Sequence, residues 1–542
     1  MADIQSNKAQ VVIVGSGPTG LSLGIELARR GIRCLLVERN LRVGHAPRAK
    51  TTNVRTREHL RRWGIAGKLA DASPFGVDYP SHVHFVTRLS GQSLLRFDHA
   101  LNAKPERDDR YSEHAQWVPQ YKLEGVLKDH AATLDPLALR YGEELIGFTQ
   151  DANGVRVRLR NTDSGEIWEV VADFLVGADG ARSVVRDLIG STMKGRYGLS
   201  RNYNIIFEAP GLAKAHDHGP GIMYWQINAD GPSVVGPMDI GDLWYFMPTQ
   251  IAPDAHLTDE EAVALIRQST GIDLPYRIKS SDEWVASCLL ADKYWEGRVF
   301  LAGDACHLHP PFGGFGMNMG VGDAVDLGWK LAAVLQGWGG PTLLPSYEAE
   351  RRPVHELVLD EAERNHAVLS NEIYRPGLED DTVEGANARS DCADFIRERK
   401  YREFYALSVV LGYSYAGSPL VAAEAGATSA GPEALDYVPD AVPGSLAPHA
   451  WLEDDVSLYD LFGNGFTLLV LGGDAVDVGV ARQEAERAGV PLTIVRRDEP
   501  ELRTLYEARL ALIRPDQHVA WRGDRWPDIR LLARVTGQVD AA

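Results

Sequence analysis

Residues 10–20 read QVVIVGSGPTG, and the fold turns on them. The first six are a β-branched run closed by glycine, the pattern of a buried parallel strand rather than a helix. Gly15, Gly17 and Gly20 follow at the spacing G-x-G-x-x-G, with Pro18 and Thr19 between them, and helical spacing continues from Leu21 to Arg30. A dinucleotide needs that order of strand, turn and helix. The first glycine permits the tight turn, the second lets backbone approach a pyrophosphate, and the third lets the helix pack on the strand. The helix N-terminus offers free N–H groups to the phosphates. A second strand, 33–37, ends at Glu38, where a carboxylate can accept from ribose hydroxyls, and Arg39 adjoins it. These residues predict a dinucleotide site; alone they do not separate FAD from NAD.

The rest of the chain sets bounds. At 542 residues and 44% hydrophobic, it has material for two to four structural units. A net charge of −19 opposes binding to nucleic acid. No run approaches the roughly 18–20 apolar residues of a membrane span, and MADIQSNKAQ lacks the apolar core of a secretory signal, so a cytoplasmic protein without a membrane partner is expected. Cys34, Cys288, Cys306 and Cys392 show no paired spacing, which suggests neither disulfides nor a metal site.

Two later stretches carry the cofactor reading. Residues 298–320, RVFLAGDACHLHPPFGGFGMNMG, form an apolar strand that runs into Gly303-Asp304, a glycine-rich turn and a helix expected near Met319. Residues 176–183, VGADGARS, end a strand in a Gly/Asp turn ahead of a helix with Arg186; taken alone, this is a turn with a helix cap.

Together these stretches resemble the para-hydroxybenzoate hydroxylase family of single-component flavoprotein aromatic hydroxylases. The resemblance implies FAD as cofactor, with Asp304, Pro311, Gly316, Met317 and Asn318 as flavin contacts. It places Asp179 and Gly180 between the flavin and nicotinamide functions. Arg48, in Pro47-Arg48-Ala49, is implied to reach the pyrophosphate, with a surface ion pair as its other reading, and Gln120 resembles a further flavin position. The chain has no second G-x-G-x-x-G, and the family too docks NADPH or NADH transiently; the sequence does not choose between the two nucleotides. The implied reaction inserts an oxygen atom of O2 into a small aromatic substrate, phenolic or related, by way of a flavin C4a-hydroperoxide. A dehydrogenase or halogenase on the same fold, or a non-enzymatic binding protein, remains open here.

The expected fold class is α/β. A Rossmann-like FAD-binding domain (1–80, 116–200 and 286–370) interleaves with a β-sheet substrate domain (81–115 and 201–285). A helical segment and linker (371–440) follow, with helix favoured at 354–368 and 392–412. Strand and helix signals at 466–471, 480–488 and 492–495 resemble the thioredoxin-like domain (441–542) of the longer, phenol-hydroxylase-like members. No cysteine lies beyond Cys392, so this domain has no thiol redox role; support or contact within a homodimer is expected instead. For catalysis, His309 and Tyr224 are candidates. His309 precedes Pro310-Pro311, as in chlorophenol-type relatives, and reads either as a pocket base or as a histidine satisfied by turn backbone. Some phenol hydroxylases place an aspartate a few residues past the arginine segment; Lys50 stands there in this chain.

Overall fold

Val11–Val14 lies inside a six-stranded sheet ordered Trp295–Glu296, Val299–Leu301, Phe174–Gly177, Val11–Val14, Cys34–Glu38, Leu137–Tyr141. The last five strands pair in parallel, and the first is an antiparallel edge. Val11, Val12 and Ile13 are wholly buried, which is why their run is continuous rather than alternating. The computed structural model describes residues 8–41, 49–251, 256–453, 455–473, 476–527 and 530–538. Helix Pro18–Ala28 follows the first strand, with proline at its start, and packs on helix Gly316–Leu335. Bare glycines permit that contact: a Cβ at Gly328 would sit 2.8 Å from Cγ of Glu26.

A second, eight-stranded sheet is assembled from distant segments. Its order is His307–Leu308, Arg277–Ala291, Met193–Glu208, Leu243–Pro248, Ser233–Asp239, Met223–Gln226, Val83–Val86, Ser93–Phe97. It therefore extends past 201–285 into 193–200, 286–291 and 307–308, and its edge strand His307–Leu308 leads directly into the 309–316 loop. Its two faces differ in what they cover. Trp225, Tyr245 and Ile206 pack with Phe312 of that loop, whereas Tyr224, Trp244 and Phe246 pack against Ala262 and Ile266 of helix Asp259–Thr270.

Helix Val383–Phe404 begins well before the expected residue 392 and stops at Tyr405, ahead of the short helix Leu407–Leu411. Its first turns lack apolar periodicity because they face outward. The start is fixed instead by the Thr382 side chain, which accepts from Gly385 N–H at 3.0 Å. Beyond the linker, Phe466–Val470 pairs in parallel with Leu492–Arg496 and antiparallel with Leu510–Ile513, which in turn pairs with Val519–Gly523. With helices Gly479–Ala488, Pro500–Tyr506 and Leu531–Val535, this is the βαβ–ββα core of a thioredoxin-like fold. No helix among the described residues is long and apolar enough to cross a membrane.

Candidate functional site

The separate motifs converge through contacts that only small residues allow. Gly15 has φ +106°, and a Cβ there would collide with the Ala178 carbonyl, so the first glycine turn rests on the backbone of the 177–180 turn. A Cβ at Gly20 would strike the Gly15 carbonyl, and Cβ atoms at Gly303 or Gly320 would strike Oγ1 of Thr19. Thr19 thus packs into a slot between Gly303 and Gly320 and joins the first motif to the third. By contrast, nothing lies within 4 Å of a Cβ built on Gly17 or Gly180. Both face open space, and Gly17 does so at a helix N-terminus, where a pyrophosphate would be held.

Glu38 closes the ribose end. Its Oε2 accepts from Ser16 N–H at 3.0 Å, and its Oε1 accepts from Asn40 N–H at 2.9 Å, which aims the carboxylate across the glycine turn. Arg39 is exposed and Arg48 lies outside the described residues. Gln120 accepts from Ala49 N–H at 3.2 Å and donates to Glu124 at 2.8 Å, anchoring the segment that follows Arg48. Pro18 opens its helix. Asp304 sits half-buried in the turn Gly303–Ala305, Pro311 is exposed, and Gly316 and Met317 are half-buried at the start of their helix.

Two expected flavin contacts hold protein groups instead. Asn318 donates to the carbonyls of Thr51 and Gly314 at 3.0 and 2.7 Å and accepts from Asn53 N–H at 3.0 Å; its side chain staples the Thr51–Asn53 segment to the glycine loop. Asp179 accepts from Ser183 Oγ at 2.5 Å and from Val184 and Val185 N–H at 2.7 and 3.2 Å, the helix cap that the stretch read in isolation suggests. Burial nonetheless raises its pKa above the ordinary carboxylate value. Arg186 completes the bracket by donating to Ala181 and Ala305 carbonyls, tying the Asp179 turn to the Asp304 turn.

Sequence reasoning missed the centre that holds the third motif in place. Asp323 is fully buried; it accepts from Gly303 N–H at 3.0 Å and from Arg351 Nε at 2.8 Å, and lies 3.0 Å from His307 Nε2 and 2.8 Å from His355 Nε2. Burial would raise its pKa, but His355, Arg351 and the hydrogen bonds hold it well below the carboxylate range. The available signal is an aspartate in the first turns of a largely apolar helix, seven residues past Gly316. Cys306, His307, Asp323 and His355 have metal-ligand chemistry at close range, yet the Arg351 guanidinium already neutralises the carboxylate.

The structure separates the two catalytic candidates. Tyr224 is on the far face of the eight-stranded sheet, stacked on His84 at 4.9 Å, with its hydroxyl donating to the Gly219 carbonyl at 2.6 Å. Strand alternation turns it away from the loop that its neighbour Trp225 faces. His309 does lie at the loop, against Gly316 and stacked on His307 at 5.1 Å, and its buried Nε2 has no hydrogen-bond partner among the described residues. Burial, then His307 and His355, drive its pKa well below the usual histidine value. An imidazole that binds a proton so weakly is a poor base for a phenol.

The site therefore offers a glycine-lined pyrophosphate turn, a ribose carboxylate and a loop facing an aromatic sheet, and these residues fit FAD. The comparisons agree. Residues 8–362 match the FAD binding domain model, and 440–539 match the aromatic-ring hydroxylase C-terminal model. An FAD-dependent monooxygenase of Emericella nidulans is 32% identical, with 96% of this chain and 88% of that protein covered. A 4-methyl-5-nitrocatechol 5-monooxygenase of a Burkholderia species is 33% identical over 94% of this chain and 93% of its own. Among solved structures, the rebeccamycin biosynthetic enzyme RebC with bound 7-carboxy-K252c superposes with a TM-score of 0.90 at 34% identity, covering 98% and 99% of the two chains. The fold and site define a flavoprotein monooxygenase. More narrowly, the chain belongs to the FAD-binding aromatic-ring hydroxylases that carry the additional C-terminal domain. It is an FAD-dependent aromatic hydroxylase of the NAD(P)H-using kind.

Proposed function

We propose that the protein hydroxylates a phenolic ring held between the 309–316 loop and the aromatic face of the eight-stranded sheet, with O2 as the oxygen source. The observation that carries this reading is the contact of Phe312, in the loop expected to lie along the flavin, with Trp225 of the sheet at 6.0 Å between ring centroids. Trp117 adds a wall, 6.2 Å from Tyr245. These rings form an apolar aromatic wall that suits an aromatic guest and excludes water from the reacting atoms. Relatives that act on nitrocatechols and dichlorophenols, by their names, support the substrate class.

Bound in this cradle, FAD supplies electron storage and oxygen activation. In our assignment Gly15, Gly17, Pro18, Thr19 and Gly20 hold its pyrophosphate, with Arg48 as an added cation, and Glu38 and Arg39 hold the ribose end. Asp304 and Gln120 take the ribityl chain and its surroundings. Pro311, Gly316 and Met317 line the ring system through backbone and small side chains. Asp179, Gly180 and Asn318 act by fixing the turns, and the unpartnered Nε2 of His309 serves as a neutral hydrogen-bonding group at the flavin. The substrate domain of 81–115 and 201–285, interleaved with the FAD domain, is extended in this assignment to the sheet strands named above. Cytoplasmic residence and pairing of two copies rest on sequence and resemblance.

Oxygen uptake by the FAD-loaded protein with NADPH or NADH, measured across a panel of phenols, tests the proposal. A phenol that stimulates uptake and leaves as a product 16 Da heavier is expected, the mass of one added oxygen atom. Uptake that no phenol raises, or that yields only hydrogen peroxide, would refute it.

A further inference from the structure

Buried cations in this chain are consistently paired. Arg55 holds Glu58 at 3.0 Å, Lys330 holds Glu350 at 2.6 Å, Arg351 holds Asp323 at 2.8 Å, Lys400 holds Glu403 at 2.6 Å, and Arg514 holds Glu350 at 2.7 Å. Lys50, half-buried beside these fully buried cations, differs from them. Its Nζ lies 4.1 Å from the centroid of the Tyr245 ring, and among the described residues no carboxylate pairs with it. Tyr245 offers only its ring face, because its hydroxyl donates to the Ile222 carbonyl at 3.1 Å.

The position indicates which kind of anion this ammonium would meet. Lys50 directly precedes strand Thr51–Thr52, which pairs with Gln116–Trp117, and a Cβ on Gly314 would lie 3.1 Å from Thr51 Cβ. One side of Lys50 is thus tied to the glycine loop and the other to Tyr245 and Trp117, the walls assigned above to the aromatic guest. An ammonium at that point meets a substituent of the ring, not the flavin pyrophosphate.

We infer that Lys50 is the partner of the substrate's ionised aryl oxygen, the group that makes a bound phenol a phenolate. The step is a proton transfer. The phenol O–H bond breaks, the neutral amine of Lys50 forms an N–H bond with that proton, and the resulting phenolate faces the resulting ammonium with no net change in charge. Burial holds the Lys50 pKa down to about 8, so a neutral amine is accessible near physiological pH. An electron-rich phenolate is the form that an electrophilic oxygen attacks. This role rests on the phenolic reading above and supplies the proton acceptor that His309 and Tyr224 do not.

The probe is 4-nitrophenol, whose ionisation is read by difference spectroscopy on the FAD-loaded protein without NAD(P)H. Wild type, Lys50→Met and Lys50→Arg are compared, each checked for its bound-flavin spectrum. In wild type the pKa of bound nitrophenol should fall by about one unit or more relative to water, a roughly tenfold shift in ionisation. Lys50→Met should abolish the fall. Lys50→Arg, a fixed cation that cannot take up the proton, should keep the fall, which separates pairing with the phenolate from acceptance of its proton. Equal ionisation in wild type and Lys50→Met, or failure of wild type to bind the probe, would overturn the inference. Turnover is scored separately. A normal ionisation shift without hydroxylated product from any phenol would sink the phenolic reading instead.

Discussion

Glu26 shows how a single carboxylate can serve two elements of this fold. It is almost fully buried, pairs with Arg30 at 2.8 Å and Arg62 at 2.7 Å, and accepts from Trp63 Nε1 at 2.8 Å, joining the first helix to helix Val54–Arg62. Burial alone would raise its pKa; Arg30, Arg62 and the Trp63 bond outweigh that and bring it down to about 2 from 4.5. Because the folded value is the lower one, the stabilisation is complete above about 4.5 and is lost as pH falls towards 2. Its size is about 3 kcal/mol. Glu26→Gln should lower the urea unfolding free energy at pH 7 by about that amount and flatten the acid limb of a stability profile. An unchanged acid limb would contradict the pairing. Arg30, four residues on, is a neighbour that helical spacing alone supplies, but Arg62 and Trp63 are 36 and 37 residues away and were not legible in the sequence.

At the scale of elements, the glycine turn makes a sharper distinction. Gly17 has an ordinary φ of −69° and empty space around it, so Gly17→Ala should leave apoprotein stability within about 0.5 kcal/mol of wild type. Its methyl group would occupy the position of the pyrophosphate, and FAD affinity should fall at least about tenfold, measured by fluorescence quenching on titration. Gly20→Ala, facing the Gly15 carbonyl, should instead destabilise the apoprotein itself in a melting curve. If both variants lost only stability, Gly17 would have no ligand to meet. The order of strand, turn and helix was readable in residues 10–20 because that requirement is local, whereas the packing of Gly15 on Ala178 and of Thr19 between Gly303 and Gly320 was not. The roles of Asn318 and Asp179 were less so: residue type gave their location, but their hydrogen-bond partners depend on which turns pack together. Tyr224 was misjudged for a related reason. Alternation says that neighbours face opposite ways, and only the tertiary structure says which face meets the loop.

For the whole molecule, the thioredoxin-like unit is locked to the flavin unit through buried charge. Arg514 reaches Glu350 and Asp326, Trp329 Nε1 donates to Asp516 at 3.2 Å, and Arg55 donates to Gln517 at 2.7 Å and to the Asp516 carbonyl at 2.7 Å. Arg514→Leu leaves Glu350 and Asp326, among the described residues, with Lys330 alone to pair them, a loss of about 3–5 kcal/mol. Its melting temperature should fall clearly below that of wild type; an unchanged melt would mean that the two units are not coupled there. The sequence made this domain visible through its strand and helix alternation, and its lack of cysteines removed a redox role. Its contact with the flavin unit was hidden, since the partners of Arg514 and Asp516 across it lie 164 to 188 residues away. The central claim is that one atom of O2 enters an aromatic ring. Turnover under 18O2 with a phenol that stimulates oxygen uptake should give product carrying a single 18O atom for each NAD(P)H consumed; product without label, or label only in hydrogen peroxide, would contradict the account.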